Sequence, residues 1–243
     1  MKKSRPGIAS IFDRLEKHYG EQSAVGPSEP YEMILFVNCG YPATDASCTK
    51  GFEALKREVG TKSEGIIAAP KAKLAKLMRL GGIVPELRAE RLKTIAKIVN
   101  EEFGGDLKWS IEKLLLEDKK AAGEGIRLAK KALKEFPVIG EPGADKILLF
   151  SGLAPIAAVP SACVAVPQRI LFGDEDKNYA AGYRSAQEAL AAELPAKFDA
   201  RQRAYLLLKR HGQEICKRTK PKCEICPISG MCVYFQERRG KAS

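Results

Sequence analysis

Apolar residues recur along most of this chain at intervals of three and four, the spacing that places them on one face of a helix. The clearest face follows Pro85, a residue type favoured at the first position of a helix, and runs from Leu92 to Phe103. The segment 31–39 is almost entirely apolar, which fits a buried helix and, by its length, also a buried strand. No alternating strand pattern is present, so the sequence predicts an all-α fold. Helices are predicted at 7–19, 31–39, 45–59, around 74–78, 85–103, 124–134, 144–152, 178–193 and 199–211.

Glycine and proline mark the predicted ends of several of these helices. Gly81 and Gly82 close the helix around residues 74–78, and Gly212 ends the helix that begins at 199. Residues 138–143 form a tight turn between two helices, and three prolines interrupt the apolar segment 153–167.

The charge balance points to a class of partner. The chain has 41 basic and 30 acidic residues, a net charge of +11, which favours a polyanion because binding its phosphates releases condensed counterions. A basic surface without a specific partner is the alternative. No apolar run is long enough to span a membrane, and no apolar signal segment follows the basic N-terminus, so we expect a cytoplasmic protein. We also expect it to be a monomer.

Four of the seven cysteines lie within seventeen residues near the C-terminus, separated by six, two and five residues. Four thiolates in such a loop hold either a tetrahedral Zn²⁺ or a [4Fe–4S] cluster. Zinc sites usually use two close pairs of cysteines and only one such pair is present, so the spacing favours the cluster. Zinc and four unliganded thiols are the alternatives. The predicted ligands are Cys216, Cys223, Cys226 and Cys232.

This cysteine spacing resembles the iron–sulfur loop of endonuclease III and its adenine-glycosylase relatives, which are helix-hairpin-helix DNA glycosylases. The resemblance continues in residues 194–198, in His211 and Gly212 before the first cysteine, and in residues 31–35 and 43–47, which are similar to the family's second and third helices. Residues 137–144 lie where its hairpin is expected. The resemblance implies a two-lobed helical fold, with a bundle at 29–154 that ends in the hairpin and an iron–sulfur lobe at 1–28 and 155–243.

The resemblance also implies a double-stranded DNA partner. In a helix-hairpin-helix, backbone N–H groups of a glycine-rich turn and of the next helix bind phosphate oxygens without reading sequence. Gly140 and Gly143 retain part of that turn, whereas Val138 replaces its first glycine; an ordinary helix connection is the alternative. In the family the cysteine loop contacts DNA too. The resemblance therefore implies that the basic residues of this loop contact DNA; the alternative is that they only keep the loop soluble. These residues are Lys217, Arg218, Lys220 and Lys222.

The residues that carry the family's chemistry are missing from the matching positions. Members of the family use an Asp that stabilises the sugar cation, and those that cleave the strand add a Lys, two residues after the hairpin, that forms a Schiff base. An ungapped alignment places Pro142 at the Lys position and Pro160 at the Asp position, and Arg169 falls where the family has a basic residue. Neither proline side chain donates a nucleophile, accepts a proton or carries charge, so Pro142 excludes the lyase reaction at its position.

Three carboxylates are candidate substitutes for the missing Asp. Glu141 and Asp145 flank the hairpin, and Asp45 lies at the start of a helix. The alternative roles are a solvated turn residue for Glu141, a first-turn residue for Asp145 and a helix cap for Asp45. Tyr41 and Leu87 lie near positions where the family inserts side chains into DNA, although we expect both to pack in the core.

The sequence therefore predicts a DNA-binding protein of the endonuclease III base-excision-repair family. It is expected to engage damaged or distorted duplexes without lyase chemistry and without conventional glycosylase chemistry. Two alternatives stay open: an active monofunctional glycosylase that uses another carboxylate, and an iron–sulfur interaction module. The two prolines leave its status as an enzyme undecided.

Overall fold

The computed structural model describes residues 7–119 and 123–241. All regular structure within these residues is helical, which confirms the all-α prediction and the helical alternative for segment 31–39. Short 3₁₀ turns lie at Arg79–Gly81, Leu116–Lys119, Ser161–Cys163, Cys223–Ile225 and Ser229–Met231. The α-helices are α1 (Ile8–Tyr19), α2 (Pro30–Gly40), α3 (Asp45–Glu58), α4 (Ser63–Ala68), α5 (Lys71–Met78), α6 (Pro85–Phe103), α7 (Leu107–Leu115), α8 (Glu124–Lys134), α9 (Glu141–Phe150), α10 (Ala165–Phe172), α11 (Tyr179–Glu193), α12 (Phe198–Glu214) and α13 (Val233–Lys241).

Packing divides the chain into two compact units. One contains Val25–Leu153, and the other combines the described residues up to Ala24 with those from Ala154 onward. The division into domains at 29–154, with 1–28 and 155–243 as the second, stays a prediction. In the described part of the chain, no helix is both long and apolar enough to cross a bilayer.

The unit formed by residues 25–153 is built around two buried helices. α2 is apolar on nearly all sides and packs against α3, α6, α7 and α9. α6 buries the apolar face that its sequence pattern predicts. Within α2, the buried Asn38 side chain donates hydrogen bonds to the carbonyls of Ile34 and Pro137, both at 3.0 Å. The second of these bonds ties the turn before α9 to the helical core.

The other unit places the N-terminal helix against the C-terminal ones. α1 packs on α11 and α12, and its predicted apolar face joins one hydrophobic core with side chains of α10, α11 and α12. That core also includes Ile228 and Cys232 of the cysteine loop, which we define as residues 216–232. The cysteine loop is therefore an extension of the folded core of this unit.

Gly212 does not end α12, and the prediction that it does is wrong. The helix continues to Glu214. A Cβ atom at position 212 would lie 2.6 Å from Sγ and 2.9 Å from Cβ of Cys163. Glycine at this position allows the close approach of the segment around Cys163 to α12, and it has no terminating role.

Candidate functional site

The cysteine loop brings its four thiols to the border of one pocket. Cys216 follows α12, Cys223 begins a 3₁₀ turn, and Cys232 directly precedes α13. Backbone hydrogen bonds within this segment close the loop. The N–H of Lys222 donates to the carbonyl of Ile215 at 2.9 Å, and the N–H of Cys226 donates to the carbonyl of Cys223 at 3.3 Å. The remaining pocket walls are mostly apolar and include Ile170, Ile215, Ile228, Tyr234 and Phe235.

These thiols suit an iron–sulfur cluster. Among the described residues, no three His, Cys, Asp or Glu side chains are grouped closely enough to hold a single metal ion. The four thiols border a shared space instead, which is what a cluster larger than one ion requires. Burial raises the pKa of all four thiols, that of Cys226 to about 12, and coordination to iron would hold them as thiolates.

Arg169 of α10 fixes the start of the cysteine loop. Its guanidinium donates to the carbonyl of Lys217 from Nη1 (2.9 Å) and to that of Arg218 from Nη2 (2.6 Å). Nη1 also lies 3.6 Å from Sγ of Cys216, and Nε donates to the carboxylate of Glu175 at 2.7 Å. The sequence indicated Arg169 only as support for the alignment; its contacts with the loop appear only in the folded chain.

The basic residues between the first two cysteines all point into solvent. Because Arg169 holds the backbone carbonyls of Lys217 and Arg218, the backbone of this segment is anchored while its basic side chains stay exposed. Such an arrangement can present several cations to a phosphate backbone without a large loss of backbone freedom on binding. The exposed residues are Lys217, Arg218, Lys220 and Lys222.

The hairpin lies between α8 and α9. Its turn is closed by a hydrogen bond from the N–H of Ile139 to the carbonyl of Phe136 at 3.2 Å. Gly140 is exposed and is the N-cap of α9. Val138, which the sequence resemblance matches to the first glycine of the turn, adopts a left-handed conformation with φ of +70°. A β-branched residue is strained there, so the turn keeps a glycine-type backbone shape without the glycine.

Both prolines lie at helix starts. Pro142 is in the first turn of α9, where a proline costs no helical hydrogen bond. Pro160 is buried and directly precedes the 3₁₀ turn Ser161–Cys163, and its carbonyl accepts from the N–H of Cys163 at 2.8 Å. Each proline thus has a clear structural role, and neither side chain offers a group that can titrate.

The two carboxylates beside the hairpin are engaged in ion pairs. Asp145 is fully buried on α9 and lies 2.8 Å from Nζ of Lys130 on α8. Glu141 pairs with the same Lys130 and, at 2.9 Å, with Lys134. Glu141 is therefore not a freely solvated turn residue, and Asp145 lies beyond the first turn of α9. Lys130 joins α8 to α9, a role that sequence reasoning missed because the lysine-rich face of α8 also fits a solvated surface.

Asp45 does not cap α3. Thr44 is the N-cap, and its side-chain oxygen accepts from the N–H of Ser47, while Asp45 is the first helical residue. The two residues are adjacent and both residue types favour caps, so the sequence does not separate them.

An exposed apolar edge surrounds the turn between α5 and α6. A Cβ on Gly81 would collide with the carbonyl oxygen of Cys39, so this turn lies directly against the C-terminal end of α2. Three of its residues, Leu80, Ile83 and Val84, were not predicted from the sequence. A signal was present for Ile83 and Val84, because these apolar residues lie between Gly82 and Pro85, outside any helical period. The edge comprises Tyr41, Leu80, Ile83, Val84 and Leu87.

The expected core packing of Tyr41 and Leu87 is wrong. Their side chains are 48% and 43% exposed. Tyr41 lies just beyond the end of α2. On α6 it is Arg88, 1% exposed, that faces inward beside Leu87, and its Nε donates to the carbonyl of Ile83 at 2.8 Å. An arginine occupies the inward position, so the leucine remains at the surface.

Comparisons with known proteins agree with this geometry. A family model of the iron–sulfur binding domain of endonuclease III matches residues 216–232. Endonuclease III of Escherichia coli (strain K12) is 27% identical over 210 residues, 86% of each chain. The thymine/uracil-DNA glycosylase of Methanothermobacter thermautotrophicus is 25% identical over 175 residues, 72% of this chain and 68% of that protein. A solved structure of a trapped endonuclease III–DNA covalent intermediate matches with a TM-score of 0.71 at 18% identity, over 96% of this chain and 97% of that chain.

These matches confirm the resemblance, the helical glycosylase fold and the iron–sulfur cofactor that the sequence predicts. The family model covers the cysteine loop, while the two relatives extend the similarity over most of the chain. The chain is similar to the endonuclease III-like DNA glycosylases over most of its length, and it carries their iron–sulfur binding domain at residues 216–232.

Proposed function

We propose that this protein binds damaged or distorted duplex DNA and that it neither cleaves the strand nor releases bases by the family's conventional chemistry. A [4Fe–4S] cluster held by the four thiols of the cysteine loop keeps the DNA-binding loop folded. One observation carries the proposal: prolines, Pro142 and Pro160, occupy the two positions that match the family's catalytic Lys and Asp.

The chemical consequence of each proline is direct. A Schiff base needs a primary amine, and Pro142 has none, so the lyase step has no nucleophile at that position. Pro160 removes the carboxylate that would stabilise a positively charged sugar. Loss of one well-placed stabilising group lowers a rate by about 10²–10³, or roughly 3–4 kcal/mol. Loss of a full negative charge opposite a cation should lower the rate by at least as much.

The nearby carboxylates do not readily replace the missing Asp. Asp145 is buried in an ion pair with Lys130, and Glu141 is shared between Lys130 and Lys134. A carboxylate already neutralised by a lysine contributes little to stabilising a second cation. This pairing favours the non-catalytic proposal over a glycosylase that uses another carboxylate.

Two surfaces support DNA binding. The basic side chains of the cysteine loop are exposed on an anchored backbone. At the hairpin, the start of α9 offers N–H groups to a phosphate, but Pro142 lacks one and Glu141 adds a negative charge beside them. We therefore assign most of the phosphate affinity to the cysteine loop. The apolar edge beside Gly81 supplies side chains that can contact bases in a distorted duplex.

A base-release assay tests the catalytic half of the proposal. The iron-loaded protein is incubated with a panel of duplexes that carry single damaged or mismatched bases, and released base is quantified. We expect no release above the protein-free control. Turnover on any duplex would establish the monofunctional glycosylase instead.

Substitutions at the prolines sharpen this assay. Pro160→Asp restores a carboxylate at the matched position, and Pro155→Asp is a control that adds one nearby in the same segment. Base release that appears only in Pro160→Asp would show that the other groups needed to bind and release a base are intact. No release in either variant would indicate that these groups have been lost as well.

Salt dependence tests the DNA-binding half. Affinity for a duplex should fall with salt with a log–log slope of roughly −0.9 for each phosphate neutralised. Lys217→Ala with Lys220→Ala should reduce the magnitude of the slope by about 0.9 per residue, whereas Lys17→Ala, outside the cysteine loop, should not change it. Binding that is absent at low salt or insensitive to salt would favour an iron–sulfur interaction module.

A further inference from the structure

Two side chains outside the cysteine loop connect α1 to one of its thiols. Tyr19 is the last residue of α1, and its hydroxyl oxygen lies 2.9 Å from Nδ1 of His211. His211 is 1% exposed and lies in the last turn of α12. Its other ring nitrogen, Nε2, lies 3.7 Å from Sγ of Cys226. A path of polar contacts therefore runs from Tyr19 through His211 to Cys226.

The chemistry at the two ends of this path decides which ring nitrogen carries the hydrogen. As a cluster ligand, Cys226 is a thiolate, which accepts hydrogen bonds and does not donate them. Nε2 of His211 must therefore be the protonated nitrogen. In a neutral imidazole Nδ1 is then an acceptor, which suits the hydroxyl of Tyr19 as its donor. The opposite tautomer would set the lone pair of Nε2 against a negatively charged sulfur.

We propose that Tyr19 and His211 form a positioning pair that raises the reduction potential of the cluster by directing a hydrogen bond from His211 Nε2 to Cys226. An electron added to an iron–sulfur cluster increases the negative charge on its sulfurs, so hydrogen bonds to them stabilise the reduced state. Tyr19 acts one step further out, by holding the ring of His211 in the tautomer and orientation that donates. The inference rests on the proposed role of Cys226 as a cluster ligand.

The pair is separate from the contact that Arg169 makes with Cys216. Tyr19 comes from α1, and His211 from α12, so the position of the N-terminal helix determines the polarity around one cluster ligand. The ring of His18 lies edge-on to that of Tyr19, with centroids 4.6 Å apart, and packs against the phenol ring. The cluster's potential thereby depends on packing between the two ends of the chain.

The test measures the midpoint potential of the iron-loaded protein by a redox titration followed in its visible spectrum. His211→Leu removes the donor, and His211→Gln keeps an N–H donor near the position of Nε2. Tyr19→Phe leaves the histidine in place but removes its partner. Tyr179→Phe is the matched control, because its hydroxyl donates to the carbonyl of Ser161 at 3.2 Å and not to the path.

We expect His211→Leu to lower the ratio of reduced to oxidised cluster at a fixed solution potential by about tenfold, which is 59 mV for a one-electron couple. Tyr19→Phe should lower it by about threefold. His211→Gln and Tyr179→Phe should stay close to the wild-type potential. A merely structural role for His211 would not be rescued by glutamine.

Iron and sulfide content, measured on every variant, separates the possible failures. Unchanged or more positive potentials in iron-loaded His211→Leu and Tyr19→Phe would overturn this inference alone. If His211→Leu does not retain iron, the potential of Tyr19→Phe decides the question in the same way. An iron-free wild-type protein would overturn the cluster itself, and this inference with it.

Discussion

Replacing Arg169 with methionine tests whether one side chain holds the cysteine loop in place. Methionine keeps an unbranched side chain and removes the guanidinium. The side chain of Arg169 is only 4% exposed, and it donates to two loop carbonyls and to Glu175. Its removal therefore leaves the segment after Cys216 without its anchors.

The expected loss can be worked from these contacts. A hydrogen bond from a charged donor contributes about 1.5–3 kcal/mol. The two carbonyls belong to exposed residues that water reaches after the substitution, so the lower end applies, which gives about 3 kcal/mol for both. The ion pair with the partly exposed Glu175 adds at most about 1 kcal/mol, and burial of methionine returns part of the loss. The net change is about 2–4 kcal/mol, a fall of roughly 5–15 °C in apparent Tm.

The assay is thermal unfolding of the iron-loaded protein, followed by circular dichroism, together with iron retention after heating below the transition. Arg203→Met is the matched control, because Arg203 pairs with Asp13 and Glu16 at the surface and should contribute less than about 1 kcal/mol. Arg169→Lys, which keeps the charge without the forked donors, should fall between the two. Equal Tm values and equal iron retention in Arg169→Met and Arg203→Met would refute the anchoring role.

Three further outcomes are expected. Gly212→Ala should destabilise the protein by about 1–2 kcal/mol in the same assay, because its Cβ would lie 2.6 Å from Sγ of Cys163, whereas Gly230→Ala, with no atom within 4 Å, should change stability by less than about 0.5 kcal/mol. Burial alone would raise the pKa of Glu141, but Lys130 and Lys134 outweigh this effect and lower the pKa below its ordinary value of 4.5. These ion pairs therefore stabilise the protein above pH 4.5, and their contribution is lost as the pH falls through the lowered pKa. The Tm difference between wild type and Glu141→Gln should thus vanish in acid, and a difference independent of pH would contradict the ion pairing. Glu141→Gln should also tighten DNA binding, measured by fluorescence anisotropy, and steepen the salt slope by about 0.9, because it releases Lys134 to a phosphate while Lys130 stays paired with Asp145. Unchanged affinity would show that the hairpin takes no part in binding.

Much of the helical fold follows from local sequence features, and the exceptions are instructive. α10 contains Pro167, which interrupts the apolar pattern, yet proline in the first turn of a helix costs no hydrogen bond. α4 has six residues, too few to show a period. α7 and α13, with nine residues each, were also not predicted. Short helices depend on tertiary contacts for their stability, so their own sequences identify them poorly.

The iron–sulfur site could be predicted from the sequence because the spacing of its four cysteines identifies it. Four cysteines within one loop must come together whatever the rest of the chain does. The residues that contact those thiols could not be predicted. Arg169 and His211 reach Cys216 and Cys226 from other helices, and no local pattern distinguishes a buried histidine or arginine with such a contact from one without.

The sequence by itself determined that this chain is helical and that it carries an iron–sulfur loop at residues 216–232, and it predicts that Pro142 and Pro160 occupy the positions matched to the family's catalytic residues. These properties depend on periodicity, spacing and residue identity, which do not require the fold. Only the tertiary structure decided that Lys130 engages Glu141 and Asp145, that Tyr41 and Leu87 are exposed, and that Gly212 lies within a helix. Each of these depends on which segments distant in sequence come into contact, because burial and charge pairing are properties of neighbours in space.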